Sequence, residues 1–261
     1  MKASPFAGTA QYYARYRLPY PKELIDDLIA EFRLDRRGRL LDLGCGPGIL
    51  TLPLRHALQE AVGLDSEPDM IEEAGRQAEA AGATNVRWLC MPAEEISAQL
   101  GVFRLVTCGS SFHWMDRGRV LQLSHSLLSD DGGIAVINGA PRWWDGPEPW
   151  HAELTRLVRK WLGQERRAGG EKFAHPEERH EQLLARSPFV RLKRKEYTRE
   201  HVWDFDSLVG HLYSRSFAAP PLFGDNAPAF ERDLREALFA ISPEGRFTEK
   251  VRVEALLAWK R

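Results

Sequence analysis

The stretch Leu40–Leu50, LLDLGCGPGIL, constrains this chain more than any other. An apolar run carrying Asp42 leads into three glycines, Gly44, Gly46 and Gly48, and an apolar segment resumes after them. That order predicts a strand, a tight loop and a helix. Glycine is required there because the loop turns sharply without a Cβ penalty and lets a ligand lie against bare backbone. A helix starting near Gly48 would also turn unpaired N–H groups toward a polar or anionic ligand edge. The next strand-like run, Ala61–Leu64, ends at Asp65. A carboxylate there can accept hydrogen bonds from both hydroxyls of a ribose.

Strand-like and helix-like segments alternate around this loop. Pro21 opens a helix over 21–34, with Leu24, Ile25, Leu28, Ile29 and Phe32 at helical spacing. Arg39–Leu43, Ala61–Leu64, Val86–Cys90, Phe103–Cys108 and Gly133–Asn138 read as strands, with helices over 49–57, 68–81 and 117–128 among them. This rhythm specifies a doubly wound unit whose ligands sit at the carboxyl ends of parallel strands. The second half is less regular. A Pro- and Trp-rich connection over 141–150 precedes helices over 150–163, 204–216 and 227–240, with Gly169–Gly170 as a loop. Val190–Thr198 and Val251–Trp259 read as two further strands. The expected fold is α/β: a doubly wound, mostly parallel seven-stranded sheet with an N-terminal lid and added C-terminal helices. It is expected to be a single domain over 1–261, with lid helices in 1–35, a cofactor-binding core in 36–140, and a substrate lid and last strands in 141–261.

Charge excludes some partners. With 36 basic and 37 acidic side chains the net charge is -1, which gives no general attraction to nucleic acid or to anionic membrane. The segment 151–200 leans basic, but acids are interspersed throughout it, as on a solvated helical face. The three cysteines, Cys45, Cys90 and Cys108, form no C-x-x-C pair, and free thiols in a reducing compartment are their simplest account. The N-terminal segment has no apolar core of a signal peptide, and no apolar run reaches membrane-spanning length. The chain is therefore expected to be soluble and cytoplasmic. No cluster of His, Cys, Asp or Glu has metal-ligand spacing, and there is no Ser-His-Asp or P-loop signature.

Nicotinamide-binding folds also carry a glycine-rich loop, so the loop alone does not choose the ligand. Two details do. The spacing is G-x-G-x-G, not G-x-G-x-x-G, and Asp42 at the strand end would repel a pyrophosphate. S-adenosylmethionine, with its sulfonium and α-ammonium groups, would welcome that carboxylate. LLDLGCGPG, VGLDSEPDMI, MPAEEI, FRLVTCGSSFHWMD and LLSDDGGIAVI, in this order, resemble the successive motifs of class I small-molecule methyltransferases over about residues 36–140. The group that includes trans-aconitate, biotin-pathway malonyl and quinone-pathway methyltransferases is the most similar. The resemblance implies a Rossmann-like methyltransferase domain using S-adenosyl-L-methionine on a small-molecule acceptor. It places Asp42, Gly44, Cys45, Gly46 and Gly48 along the methionine and ribose end of the cofactor. Asp65 would take the ribose hydroxyls, with Ser66 beside it and Met70 against the adenine. Ala93 and Glu94 would flank the adenine edge. The family usually carries Asp before that Ala-Glu pair; this chain has Pro92, so Glu94 or a backbone carbonyl would take over the contact to the adenine amino group.

Methyl transfer from a sulfonium is an in-line displacement, and alignment in a dry site supplies much of its rate. A base is needed only where the nucleophile arrives protonated. The segment 109–116, GSSFHWMD, follows the fourth strand and opens on the active-site rim. His113 is the candidate base, with pocket wall or positioning group as the other role, and Ser110 is a candidate cofactor contact. The N-terminal FAGTAQYYARYRLPYP resembles the family's lid segment and offers Tyr12, Tyr13, Arg15, Tyr16, Arg17 and Tyr20. Tyr13 is the candidate catalytic group among them. Trp143, Trp144, Trp150, His211, Tyr213, Arg215 and Phe217 are either substrate pocket or core. The expected activity is methyl transfer to oxygen or nitrogen of a metabolite. Carboxylate O-methylation, or cofactor binding without transfer, are the other readings.

Overall fold

A computed structural model of the chain describes residues 5–139, 141, 143, 144, 146–165, 167, 168, 171, 172 and 178–261. Gly169 and Gly170 lie outside them. The chain divides into two compact units.

The larger unit comprises residues 19–139, 175–197 and 253–261. Its frame is a seven-stranded sheet built on β1 (Arg39–Leu43), β2 (Glu60–Asp65), β3 (Val86–Cys90), β4 (Phe103–Gly109) and β5 (Leu128–Gly139). The short β6 (Arg167–Ala168) and β7 (Glu171–Lys172) pair with each other. β8 (Arg191–Trp203) and β9 (Phe247–Trp259) complete the large sheet, whose order is β3-β2-β1-β4-β5-β9-β8. The first five strands pair in parallel, and β9 runs antiparallel to β5, with Gly133 opposite Trp259 and Gly139 opposite Val253. The mostly parallel seven-stranded sheet expected from the alternation is present.

Strands buried on both faces read as continuous apolar runs, and alternate residues of each strand serve different cores. Leu41, Leu43, Val62, Leu64, Val106 and Val136 belong to one face; Leu40, Ala61, Leu105, Ala135 and Ile137 to the other. The first face packs on α5 (Arg117–Leu127) through Val120, Leu121 and Leu127, and on α7 (His180–Ala185) through Leu183 and Leu184. The second packs on α2 (Lys22–Glu31) through Leu24 and Leu28, and on α3 (Thr51–Leu54) through Leu54. α4 (Pro68–Ala80) buries Met70, Ala74 and Ala78. The helix expected over 49–57 is shorter than its pattern: one α turn at Thr51–Leu54, then a 3-10 turn at Arg55–Ala57. β5 starts earlier than expected. LSDDGG has turn composition, yet the chain stays in the ladder beside β4 through a register shift between Phe103 and Leu105.

The smaller unit comprises residues 1–18, 140–174 and 198–252. It holds α1 (Ala10–Tyr16), α6 (Pro149–Leu162), α8 (Phe205–Tyr213), α9 (Pro220–Phe223) and α10 (Ala227–Ile241). Trp143, Trp150, Trp203, Leu208, Phe230 and Phe247 form its core, so Trp143 and Trp150 are packing residues. At the centre the buried Glu249 carboxylate accepts the indole N–H of Trp143 at 2.8 Å and of Trp203 at 2.5 Å. α1 is tied to α8 by the Arg17 guanidinium, which donates to Ser214 Oγ at 2.8 Å and to its carbonyl at 2.9 Å. Among the described residues no helix is long and apolar enough to cross a membrane.

Candidate functional site

The strand order reverses direction at β1, where β2 and β3 lie to one side and β4 and β5 to the other. Ligands of open parallel sheets bind at such a switch point, beyond the carboxyl ends of the strands. The glycine loop leaves β1 there. Gly44, Gly46 and Gly48 all have left-handed φ, at 64°, 52° and 85°, a conformation that penalises any residue with a Cβ. At Gly44 space is lacking too, since a Cβ would stand 2.5 Å from Ser111 Cβ. The loop is also tied down. Cys45 N–H donates to Leu64 O at 2.9 Å, and Ser111 Oγ donates to Leu43 O at 2.6 Å. Because α3 is a single turn, the recognition expected from a helix N-terminus is not built here; backbone and carboxylates remain.

Two carboxylates bracket the loop. Asp65, at the tip of β2, accepts Gly46 N–H at 2.9 Å on one oxygen and Glu67 N–H at 3.0 Å on the other. Burial pushes its pKa up, while N–H groups of Glu67, Gly46 and Ser66 work against the rise. Asp42 lies beneath the loop, only 1% exposed. Its oxygens accept the Thr51 hydroxyl at 2.6 Å and the Thr107 hydroxyl at 2.7 Å. Burial pushes Asp42 up to about 6; the two hydroxyls hold it lower than burial alone would, and the like charge of Asp65 adds to the rise.

This raised pKa has a consequence for stability. Asp42 unfolded titrates near 3.8 and folded near 6, so folding favours the neutral acid. The contribution is full below the unfolded value and is lost as pH rises through about 6. Asp42→Asn removes the titration. Its stability relative to wild type is expected to climb between pH 4 and pH 7, by at most about 3 kcal/mol, in urea midpoints taken across that range. A pH-independent difference would exclude the carboxyl charge as its source.

The remaining candidates fall into four places. Ser66 is exposed beside Asp65, and Met70 is buried in the first turn of α4. Ala93 and Glu94 lie in the 3-10 turn after β3. Ala93 packs into the core, and Glu94 Oε1 accepts Asp116 N–H at 2.7 Å, which ties this turn to the loop after β4. On that loop Ser110 has left-handed φ of 55° and donates its N–H to Ile137 O at 2.7 Å. His113 sits half-buried on a 3-10 turn, its ring 4.9 Å from that of Trp114. All of these belong to the larger unit and to the segments following β1 to β4. Tyr13 does not: it is in α1 of the smaller unit, with the Arg17 guanidinium 4.4 Å over its ring. Tyr20, grouped with it by sequence, belongs to the larger unit, where a Cβ on Gly109 would meet its hydroxyl at 2.7 Å. Sequence reasoning missed Thr51 and Thr107. Among the described residues no group of three or more His, Cys, Asp or Glu side chains could hold a metal ion.

A ribose-bearing cation fits this set. An ionised carboxylate has about four acceptor positions; Asp65 uses two on backbone N–H groups, leaving two for a ribose diol. Two acids beside one loop disfavour a diphosphate and favour a cation. Sheet order, glycine loop and the acid at the tip of β2 together give the Rossmann-like methyltransferase fold. Residues 40–132 match the family described as methyltransferase domain. A methyltransferase of Bacillus subtilis, YcgJ, is 26% identical over 136 residues, covering 52% of this chain and 54% of that protein. A trans-aconitate 2-methyltransferase of a Mycobacterium species is 40% identical over 73 residues, covering 27% of this chain and 29% of that enzyme. The chain spans about half the length of the first curated relatives it matches. In fold it is similar to the S-adenosylmethionine-dependent methyltransferase from Thiobacillus denitrificans crystallised with S-adenosyl-L-homocysteine. That likeness has a TM-score of 0.52 and 18% identity, covering 99% of this chain and all of that one.

Proposed function

We propose that this protein binds S-adenosyl-L-methionine at the loop between Asp42 and Asp65 and moves its methyl group to an oxygen or nitrogen of a small-molecule metabolite. The observation that carries the reading is the pair of strand-end carboxylates around a bare-backbone turn. When bound, the cofactor supplies a methyl carbon activated by its sulfonium. Asp65 takes the ribose hydroxyls, with Ser66 alongside. Gly44, Cys45, Gly46 and Gly48 give the close backbone surface, and the Asp42 charge acts through the loop. Met70 and Ala93 form the apolar side for the adenine. Glu94, with one oxygen on Asp116 N–H, offers the other to the adenine amino group. Ser110 marks the rim. His113 receives the proton of an acceptor hydroxyl, phenol or ammonium. Tyr13, on the N-terminal segment that resembles the family's lid, is a further group of the reaction, within a single catalytic domain.

A trans-aconitate 2-methyltransferase among the relatives supports a second acceptor class, a carboxylate, which needs no base. Calorimetry tests the cofactor first: S-adenosylhomocysteine is expected to bind and NAD is not. Tight NAD binding with no response to S-adenosylhomocysteine would end the reading. Incubation with labelled S-adenosylmethionine and a metabolite library then tests transfer, and a library without labelled product would point to a binding protein of this fold.

A further inference from the structure

Asp42 and Thr107 stand opposite each other in the β1–β4 ladder, while Thr51 begins the turn of helix that the glycine loop runs into. Both threonines are fully buried, and both donate to the one carboxylate, each to its own oxygen. Asp42 is thus gripped from the next strand and from the far end of the loop by neutral hydroxyls. On the β2 side its ladder neighbour is Gly63, which offers no side chain. The geometry points to Thr51 and Thr107 as positioning residues of the cofactor site: they keep the Asp42 carboxylate fixed and ionised under the loop, so that the loop meets a sulfonium with a negative field. This rests on the S-adenosylmethionine reading above.

Hydrogen bonds to the charged form of an acid favour that form, and burial opposes it. The balance leaves Asp42 at about 6, ionised at neutral pH. Loss of a hydroxyl tips the balance toward the neutral acid. The titratable groups facing Asp42 are Asp65 on β2, Cys45 on the loop and Cys108 on β4. Burial raises the two thiols well above their ordinary values, so they stay neutral between pH 5 and pH 8. Burial raises Asp65 as well, but both threonine hydroxyls donate to Asp42, so a shift seen on changing a threonine reports Asp42.

The experiment measures affinity for S-adenosylmethionine and S-adenosylhomocysteine from pH 5 to pH 8.5 in wild type, Thr51→Val, Thr107→Val and the matching serine variants. In wild type the preference for the sulfonium ligand is expected to rise with pH through Asp42's titration. Each valine variant is expected to move that rise upward by about one pH unit, losing affinity at pH 7 and regaining it at pH 8.5, and serine is expected to restore the wild-type profile. Valine variants that bind with an unmoved profile would overturn the proposal while leaving the cofactor reading intact. Wild type that binds neither ligand at any pH would overturn both. Should a valine variant not fold, the wild-type comparison still decides, because a preference constant with pH contradicts a field from Asp42.

Discussion

His113→Gln is expected to lower methyl-transfer turnover about 10²- to 10⁴-fold, the range lost with a well-placed acid–base group, while S-adenosylhomocysteine affinity stays within about twofold. The turn that carries His113 is held at several points. Phe112 is fully buried, Ser111 Oγ is bonded to Leu43 O, and Asp116 N–H is bonded to the Glu94 carboxylate. An imidazole on such a turn keeps its place when the acceptor arrives. Glutamine preserves the size and a hydrogen bond but cannot take up a proton. The loss should therefore fall on kcat. Turnover unchanged across pH would contradict the base role. It would assign His113 to positioning and favour an acceptor that arrives unprotonated, a carboxylate.

The larger unit was legible because its strands carry period and punctuation together. RLLDL ends in glycines, GLD ends at a proline-started helix, and each apolar run is long enough for one strand. Where composition and tertiary context disagree, the reading stopped short. An Asp-Gly pair marks a turn, yet residues 128–132 lie in β5, because β4 pairs with Leu128 before them and Gly133 after them and a register shift takes up the residues between. The outer parts of β8 and β9 carry charged residues, alternating exposed with partly buried positions in β8 and with buried ones in β9, and have no apolar run to announce them. α7, only six residues, is shorter than the window over which helical period can be recognised.

The site divides along the same line. Asp42, the glycines and Asp65 sit within one local strand–loop–helix–strand pattern, so their spacing carries the signal. Thr107 is 65 residues from Asp42 in sequence, and only the pairing of β1 with β4 brings them together; no local pattern states that register. Glu94 shows the converse. Its sequence neighbourhood points to the ligand, but one of its oxygens is already engaged by Asp116 N–H across 22 residues. The tyrosines of the N-terminal segment look alike in sequence, yet the unit boundary falls between Leu18 and Pro19 and separates Tyr13 from Tyr20.

Asp65→Ala should weaken S-adenosylhomocysteine binding by about 2–4 kcal/mol, or about 30- to 1000-fold in Kd, as expected when hydrogen bonds to a charged acceptor are lost. The carboxylate has two duties that this number mixes. It receives Gly46 N–H and Glu67 N–H from the protein, and it is assigned the ribose hydroxyls. Alanine removes both, leaving Gly46 N–H without its acceptor and the loop less well held. A ribose-deoxygenated analogue of S-adenosylhomocysteine separates the two, because contacts that share a partner do not add. Wild type should lose affinity on deoxygenation, whereas the alanine variant, having no acceptor left, should bind the two ligands almost equally. If deoxygenation cost the variant as much as it cost wild type, the carboxylate would be a loop anchor alone and the ribose would be held by another group.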